Sequence, residues 1–206
     1  MKRVVFLASL GWACTLPAAD FREFSWGEPI AAIQGAEAAW PVFATDSLLE
    51  YDTEYAGRPM SLLYRFAGGR LDGGSYHFEP FRQCGGNATV PARRYACEKR
   101  QVSTAFLDLV RRLSRQYGRP ADDALNALCF RDAASIERYV GSRDDFARSA
   151  MCVWQGPITT VTLNASHALG GTDDRYHPYA ELQLVFSGVP TAVAAGTDAD
   201  SGRQGL

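Results

Sequence analysis

The sequence predicts an α+β protein of two tandem helix-plus-antiparallel-sheet repeats, with the helices packed on one face of the sheet. Three observations carry this. Apolar and polar residues alternate through Leu49–Tyr55 and Leu62–Phe66, and again through Thr159–Ser166 and Ala180–Ser187. Such alternation marks strands with one buried and one wetted face, an antiparallel habit. A helical period in the second half places Phe106, Leu109, Val110, Leu113 and Tyr117 on one side, with Asp108, Arg111, Arg112 and Arg115 on the other. Turn residues separate these segments, at Gly57-Arg58-Pro59, Gly68-Gly69 and Gly118-Arg119-Pro120.

The start of the chain sets where the protein works. Met1-Lys2-Arg3 is cationic, Val4–Trp12 is apolar, and Leu16-Pro17-Ala18-Ala19 supplies small residues before Asp20, the layout of a secretory signal peptide over residues 1–19. The competing lipoprotein reading cleaves before Cys14, but Gly11 stands where a branched aliphatic is usual and Trp12 is bulky, so cleavage near Ala19 is preferred. No later stretch approaches the roughly 20 apolar residues of a membrane span. The expectation is a periplasmic or secreted protein. The 206-residue chain carries 21 basic and 23 acidic residues, and loss of Lys2 and Arg3 with the signal leaves a net charge of −4. That balance gives no electrostatic reason to bind nucleic acid or an anionic membrane.

Residues 20–99 read as the first unit. Asp20–Gly27 is an exposed lead-in anchored by Phe21, Phe24 and Trp26; Pro29 opens a short helix with Ile30 and Ile33 on its apolar edge. Strands follow over Leu49–Tyr55 and Leu62–Phe66, and a Gly-interrupted third over Leu71–Phe78. The segment Pro80–Lys99 is a cysteine-containing insert. Residues 100–188 form the second unit. Its helix is capped by Ser103 or Thr104 and stopped by Gly118 and Pro120. Arg131–Arg148 suits helix or strand, Ala150–Trp154 is a strand, and the two alternating segments close the unit. Residues 189–206, without a large hydrophobe until Leu206, read as a disordered tail.

Cys84, Cys97, Cys129 and Cys152 remain after signal removal, an even number that points to disulfides in an exported chain. Three connectivities are open. Nearest-neighbour pairing is favoured because each bond closes one local loop, contributing about 3 kcal/mol in the chain-entropy picture. Zinc is the rival reading, disfavoured because no C-x-x-C spacing occurs and the histidines are remote.

Phe24-x-Trp26-Gly27, the short helix after it, and Leu49-x-Tyr51-x-Thr53 through Leu62-x-Tyr64-x-Phe66-x-x-Gly69-x-Leu71 resemble a group of poorly characterised bacterial exported proteins. Tyr117-Gly118-x-Pro120, Trp154 and the strand from Thr159 fit that group's second half. The repeat is similar, more distantly, to the helix-plus-sheet units of SmpA/BamE-like outer-membrane lipoproteins and of the β-lactamase inhibitor protein. The resemblance implies a module that binds another protein rather than one that turns over a substrate.

The chemistry-bearing residues agree with that expectation. There is no P-loop, dinucleotide fingerprint, H-E-x-x-H or G-x-S-x-G, so no catalytic residue and no cofactor is assigned. The alternative is a metal binder or hydrolase built on His167, Asp173 and His177 in a Gly-rich loop. Tyr51, Tyr55, Tyr64 and Tyr76 form either one buried aromatic file or an exposed recognition surface. The expected partner is another envelope or extracellular protein. It is expected to meet a helix-free sheet face carrying Glu50, Asp52, Glu54, Arg65, Ser75, His77, Thr160, Thr162, Glu181 and Gln183.

Overall fold

The alternating segments of both halves join edge to edge. The structure, a computed structural model, describes residues 21–80, 83–85, 91–120, 129, 131–140, 150–170 and 177–188. The expected signal peptide over residues 1–19, the expected tail over 189–206 and Asp173 lie outside these residues. Strands β1 (Phe43–Ala44), β2 (Leu48–Tyr55), β3 (Arg58–Ala67), β4 (Arg70–Phe78), β5 (Ala150–Gln155), β6 (Thr159–Gly170) and β7 (His177–Gly188) accompany helices α1 (Ile30–Ala36), α2 (Pro91–Tyr117) and α3 (Ala133–Val140). The class is α+β. The strands of the two expected units lie in one seven-stranded sheet, in the order β1-β2-β3-β4-β7-β6-β5, with every pairing antiparallel.

Register turns the alternation into a core. One ladder row crosses six strands as Tyr51, Leu62, Tyr76, Leu184, Leu163 and Cys152, and every member is buried. On the β7-β6-β5 side this face is covered by α2 and α3, through Val102, Phe106, Leu109, Leu113 and Ile136. On the β2-β3-β4 side the cover comes from Phe21, Phe24 and Ile33.

Three expectations change. The first concerns the lead-in, which is not exposed at its anchors. Phe21 and Phe24 exchange backbone hydrogen bonds of 3.1 and 3.0 Å in a tight turn, and both rings are buried. Phe21 lies directly over Gly74, where a β-carbon would collide with the ring. The interruption of β4 by glycine therefore makes room for an aromatic plug.

The second change is the length of α2, which begins at Pro91 rather than near Ser103. Ser103 is buried in mid-helix. The early turns carry Arg93, Arg94, Glu98, Lys99 and Arg100 and so lack an apolar stripe. They are fixed instead by the Cys84–Cys97 disulfide and by Glu98, whose buried carboxylate pairs with Arg94 at 3.2 Å and accepts the Ala180 N–H at 3.3 Å. Burial pushes the Glu98 carboxyl above its usual range, against the Ala180 bond and the Arg94 charge. The second disulfide joins Cys129 to Cys152; both bonds are nearest-neighbour, with Cα–Cα distances of 5.7 Å that ordinary bridge geometry allows.

The third change is in β6 and β7. They pair as far as Gly170 with His177, so His167 and His177 belong to strands and not to the loop between them. Helix wins for the ambiguous segment over Ala133–Val140. Asp132 accepts the Ser135 N–H at 2.7 Å, a cap at its start, and Ile136 supplies its core contact.

The tyrosines form the buried file. Tyr51, Tyr64 and Tyr76 are buried, Tyr55 stacks on Tyr76 at 4.4 Å, and Tyr64 meets Phe21, Phe24 and Tyr51 edge-on. The Tyr64 hydroxyl donates to Glu37 Oε1 and accepts from Arg22 Nη1 at 3.1 Å, while Arg22 also pairs with Glu37 at 2.6 Å. The Tyr51 hydroxyl has no partner among the described residues.

Two outcomes follow from this packing. Gly74→Ala should displace Phe21 and lower stability by about 1–3 kcal/mol, the range for overpacking a core, measured by denaturant unfolding. Burial, reinforced by Glu37, holds the Tyr64 phenol far above its ordinary value of 10.0, and burial pushes Tyr76 to about 12 with Arg22 opposing. Both folded values exceed the unfolded one, so the stabilisation is complete below about pH 10 and falls as pH rises through and beyond that value. The melting temperature should drop steeply above pH 10, and Tyr64→Phe should reduce the pH dependence of that drop.

Candidate functional site

The second file of each strand forms the opposite face of the sheet. A ladder row next to the core row runs Asp52, Ser61, His77, Gln183, Asn164, Met151. The row beyond it runs Glu50, Leu63, Ser75, Val185, Thr162, Val153, and a third holds Arg65, Gly73, Ser187 and Thr160. Glu54 continues the β2 file, and Glu181 stands opposite Ser166. Glu50, Asp52, Glu54, Arg65, Ser75, His77, Thr160, Thr162, Glu181 and Gln183 thus share one face, because the two-residue period holds through the pairings that carry them and the β3–β4 register shifts only beyond Arg65. None of the described helices covers it.

Charge on this face is uneven. Arg65 is paired with Asp72 at 3.0 Å, and its guanidinium lies over Gly73. Glu50, Asp52, Glu54 and Glu79 have no ion-pair partner among the described residues. Glu181 is held by the Ser166 hydroxyl at 3.0 Å and more loosely by the Gln183 amide at 3.4 Å. Where β2 and β4 end and β3 begins, near the first disulfide, the face sinks into an open concavity of about 530 Å³, lined by Glu50, Asp52, Ser61, His77, Glu79 and Gln83 among others. Glu79 and Gln83 escaped the sequence reading because they follow the last alternating residue, Phe78. The turn that carries them is tethered at Cys84 to α2.

His77 is the titratable base of the concavity. Its Nε2 lies 3.1 Å from Ser75 Oγ, since residues two apart on a strand share a face. Burial lowers its pKa, while Glu181, Glu79 and Glu50 pull the other way. A serine next to a histidine invites a nucleophilic reading. It lacks an orienting carboxylate bonded to the ring among the described residues, and a nucleophile and base need that third group. The other two histidines take ladder positions opposite Ala180 (His167) and Gly170 (His177). Among the described residues no group of three or more His, Cys, Asp or Glu could hold a metal ion, and no helix is long and apolar enough to cross a membrane. No protein-family model, curated protein or solved structure matches the chain.

The lowered His77 value has a pH consequence. The unfolded histidine takes up a proton at a higher pH than the folded one, so stability is complete above about pH 6.5 and declines as pH falls below it. His77→Gln should flatten the part of the melting-temperature decline that begins near pH 6.5; an unchanged profile would mean that His77 is not the group responsible.

Proposed function

We propose that this is an exported, non-enzymatic protein-binding module, an envelope accessory or inhibitor protein, that meets its partner on the open sheet face. In this reading the two halves are tandem helix-and-strand units that pool their strands into one sheet. The observation that carries the proposal is the contrast between the faces: one is filled by helices and aromatic rings, while the other sets charged and polar residues among Leu63, Val185, Val153 and Met151, is helix-free among the described residues, and is hollowed beside unpaired carboxylates. A rigid backbone presents such groups with little ordering cost on association. Excess negative charge selects a partner with a basic patch and rejects acidic ones. Residues 1–19 supply the export signal, and two disulfides suit an oxidising compartment.

The test is capture of one specific envelope or extracellular protein by the immobilised chain after signal removal. Glu50→Lys with Glu181→Lys, on either side of His77, should weaken that capture at least about tenfold while leaving the melting temperature within about 2 °C of the parent, as expected for surface changes. Capture unaffected by the double reversal would sink the assignment to this face.

A further inference from the structure

The short strand β1 covers only the beginning of β2. It pairs Phe43 with Glu50 and Ala44 with Leu49, and β2 then continues to Tyr55 with no described strand on that side. Ladder geometry fixes what this edge presents. Thr45 N–H donates to the Leu48 carbonyl and Val42 N–H to the Glu50 carbonyl, both at 2.8 Å, so the backbone groups of Leu48 and Glu50 point away from β3. With a period of two, the N–H and C=O groups of Asp52 and Glu54 point to that same outer side. Among the described residues no backbone hydrogen bond reaches them there.

Two further features lie along this edge. The side chains of Asp52 and Glu54 are exposed on the open face, opposite Ser61 and Pro59, which offer no cation. Like charges two residues apart on a strand repel, and nothing described offsets them. At the β1 end, Trp40, Val42 and Phe43 are 93%, 60% and 50% exposed. Phe43 is opposite Glu50 and therefore on the same face as the carboxylates. An open ladder, an acidic file and an apolar anchor are thus contiguous.

The charges choose the occupant. A second copy pairing through this edge would set carboxylate against carboxylate, which is destabilising. The chain's own residues 189–206 carry Asp198 and Asp200 against Arg203 and supply no alternating cations. We infer that the outer edge of β2 at Asp52–Glu54 is a strand-addition site for an extended basic segment of a partner protein. Lys or Arg at alternate positions of that segment lies against Asp52 and Glu54, and a flanking apolar residue packs on Trp40 and Phe43. Main-chain bonds supply the affinity of such an addition, and the alternating side chains its selectivity. This rests on the protein-binding reading and deepens it by naming the partner's chemistry; the backbone bonds it adds are made at the outer edge of β2, whose Asp52 also lines the concavity.

The probe is a labelled synthetic peptide alternating lysine with threonine and ending in phenylalanine, titrated against the full chain after signal removal and followed by anisotropy. Residues opposing Asp52 and Glu54 must be the lysines, so their amides point into the ladder and the threonine amides point away. N-methylation at the lysines should weaken binding at least about tenfold, and N-methylation at the threonines should leave it within about twofold. Asp52→Lys with Glu54→Lys should also weaken it at least about tenfold, whereas Glu137→Lys on α3 should not. Absence of parent-peptide binding, or equal binding of both methylated peptides, would overturn the inference; the latter result would mean charge attraction alone. Self-association of the Asp52→Lys/Glu54→Lys chain with peptide binding intact would overturn it too, assigning the carboxylates to blocking strand pairing between copies. None of these failures touches the open-face reading, which stands or falls on the Glu50 and Glu181 reversal.

Discussion

Six residue pairs, from Gly73 with Ser187 to Phe78 with Leu182, join the strands of the first half to those of the second. Without this β4–β7 seam the chain would have two small sheets, each with an exposed edge and half a core. With it, the buried file runs unbroken from Tyr51 to Cys152. Phe21 sits at the seam: its ring covers Gly74 and meets Tyr76 on β4 at 5.7 Å and Phe186 on β7 at 4.9 Å. Trp26, a few residues on, donates its indole N–H to Thr159 of β6 at 3.0 Å. Phe21 and Trp26 therefore hold strands that the chain makes last, and neither half can complete its packing alone.

The same glycines that weaken β4 by propensity make the seam possible. Gly74 admits an aromatic ring on the buried face, and Gly73 admits the Arg65 guanidinium on the open one. Larger side chains at these positions would fit the strand pattern better and close both spaces. Local preference gives way to tertiary packing here, which is why β4 reads from sequence as interrupted while it pairs on both sides.

How far the sequence could be read follows from the physics of each element. Alternation alone puts Glu50, His77, Thr162 and Gln183 on one side of their strands, because a two-residue period is local and survives any strand order. Strand order itself was not legible. A pairing between Tyr76 and Leu184 depends on complementary surfaces far apart in the chain, and no short-range pattern encodes it. The early turns of α2 were missed for another reason: their anchors are a disulfide and the buried Glu98 rather than an apolar stripe. The concavity was legible only in part. His77 and Asp52 lie in alternating strands, whereas Glu79 and Gln83 follow the strand and acquire a position from the fold around them.

Those non-periodic anchors also explain how a polar face can be held rigid. Cys97 and Glu98 are consecutive residues of α2, yet they reach different parts of the seam. Cys97 ties the helix to the turn after β4, and Glu98 receives the N–H of Ala180 on β7. A buried carboxylate gains little net stability, since desolvation offsets much of its pairing with Arg94. Loss of the carboxylate would nevertheless leave Arg94 and the Ala180 N–H to find other partners, so the arrangement favours one geometry over its neighbours. Together the two contacts fix the turn after β4 and the first residues of β7 against one helix turn. The face opposite can then stay uncovered by the described helices without loosening, because its shape is set from behind by a disulfide, a buried carboxylate and an aromatic core.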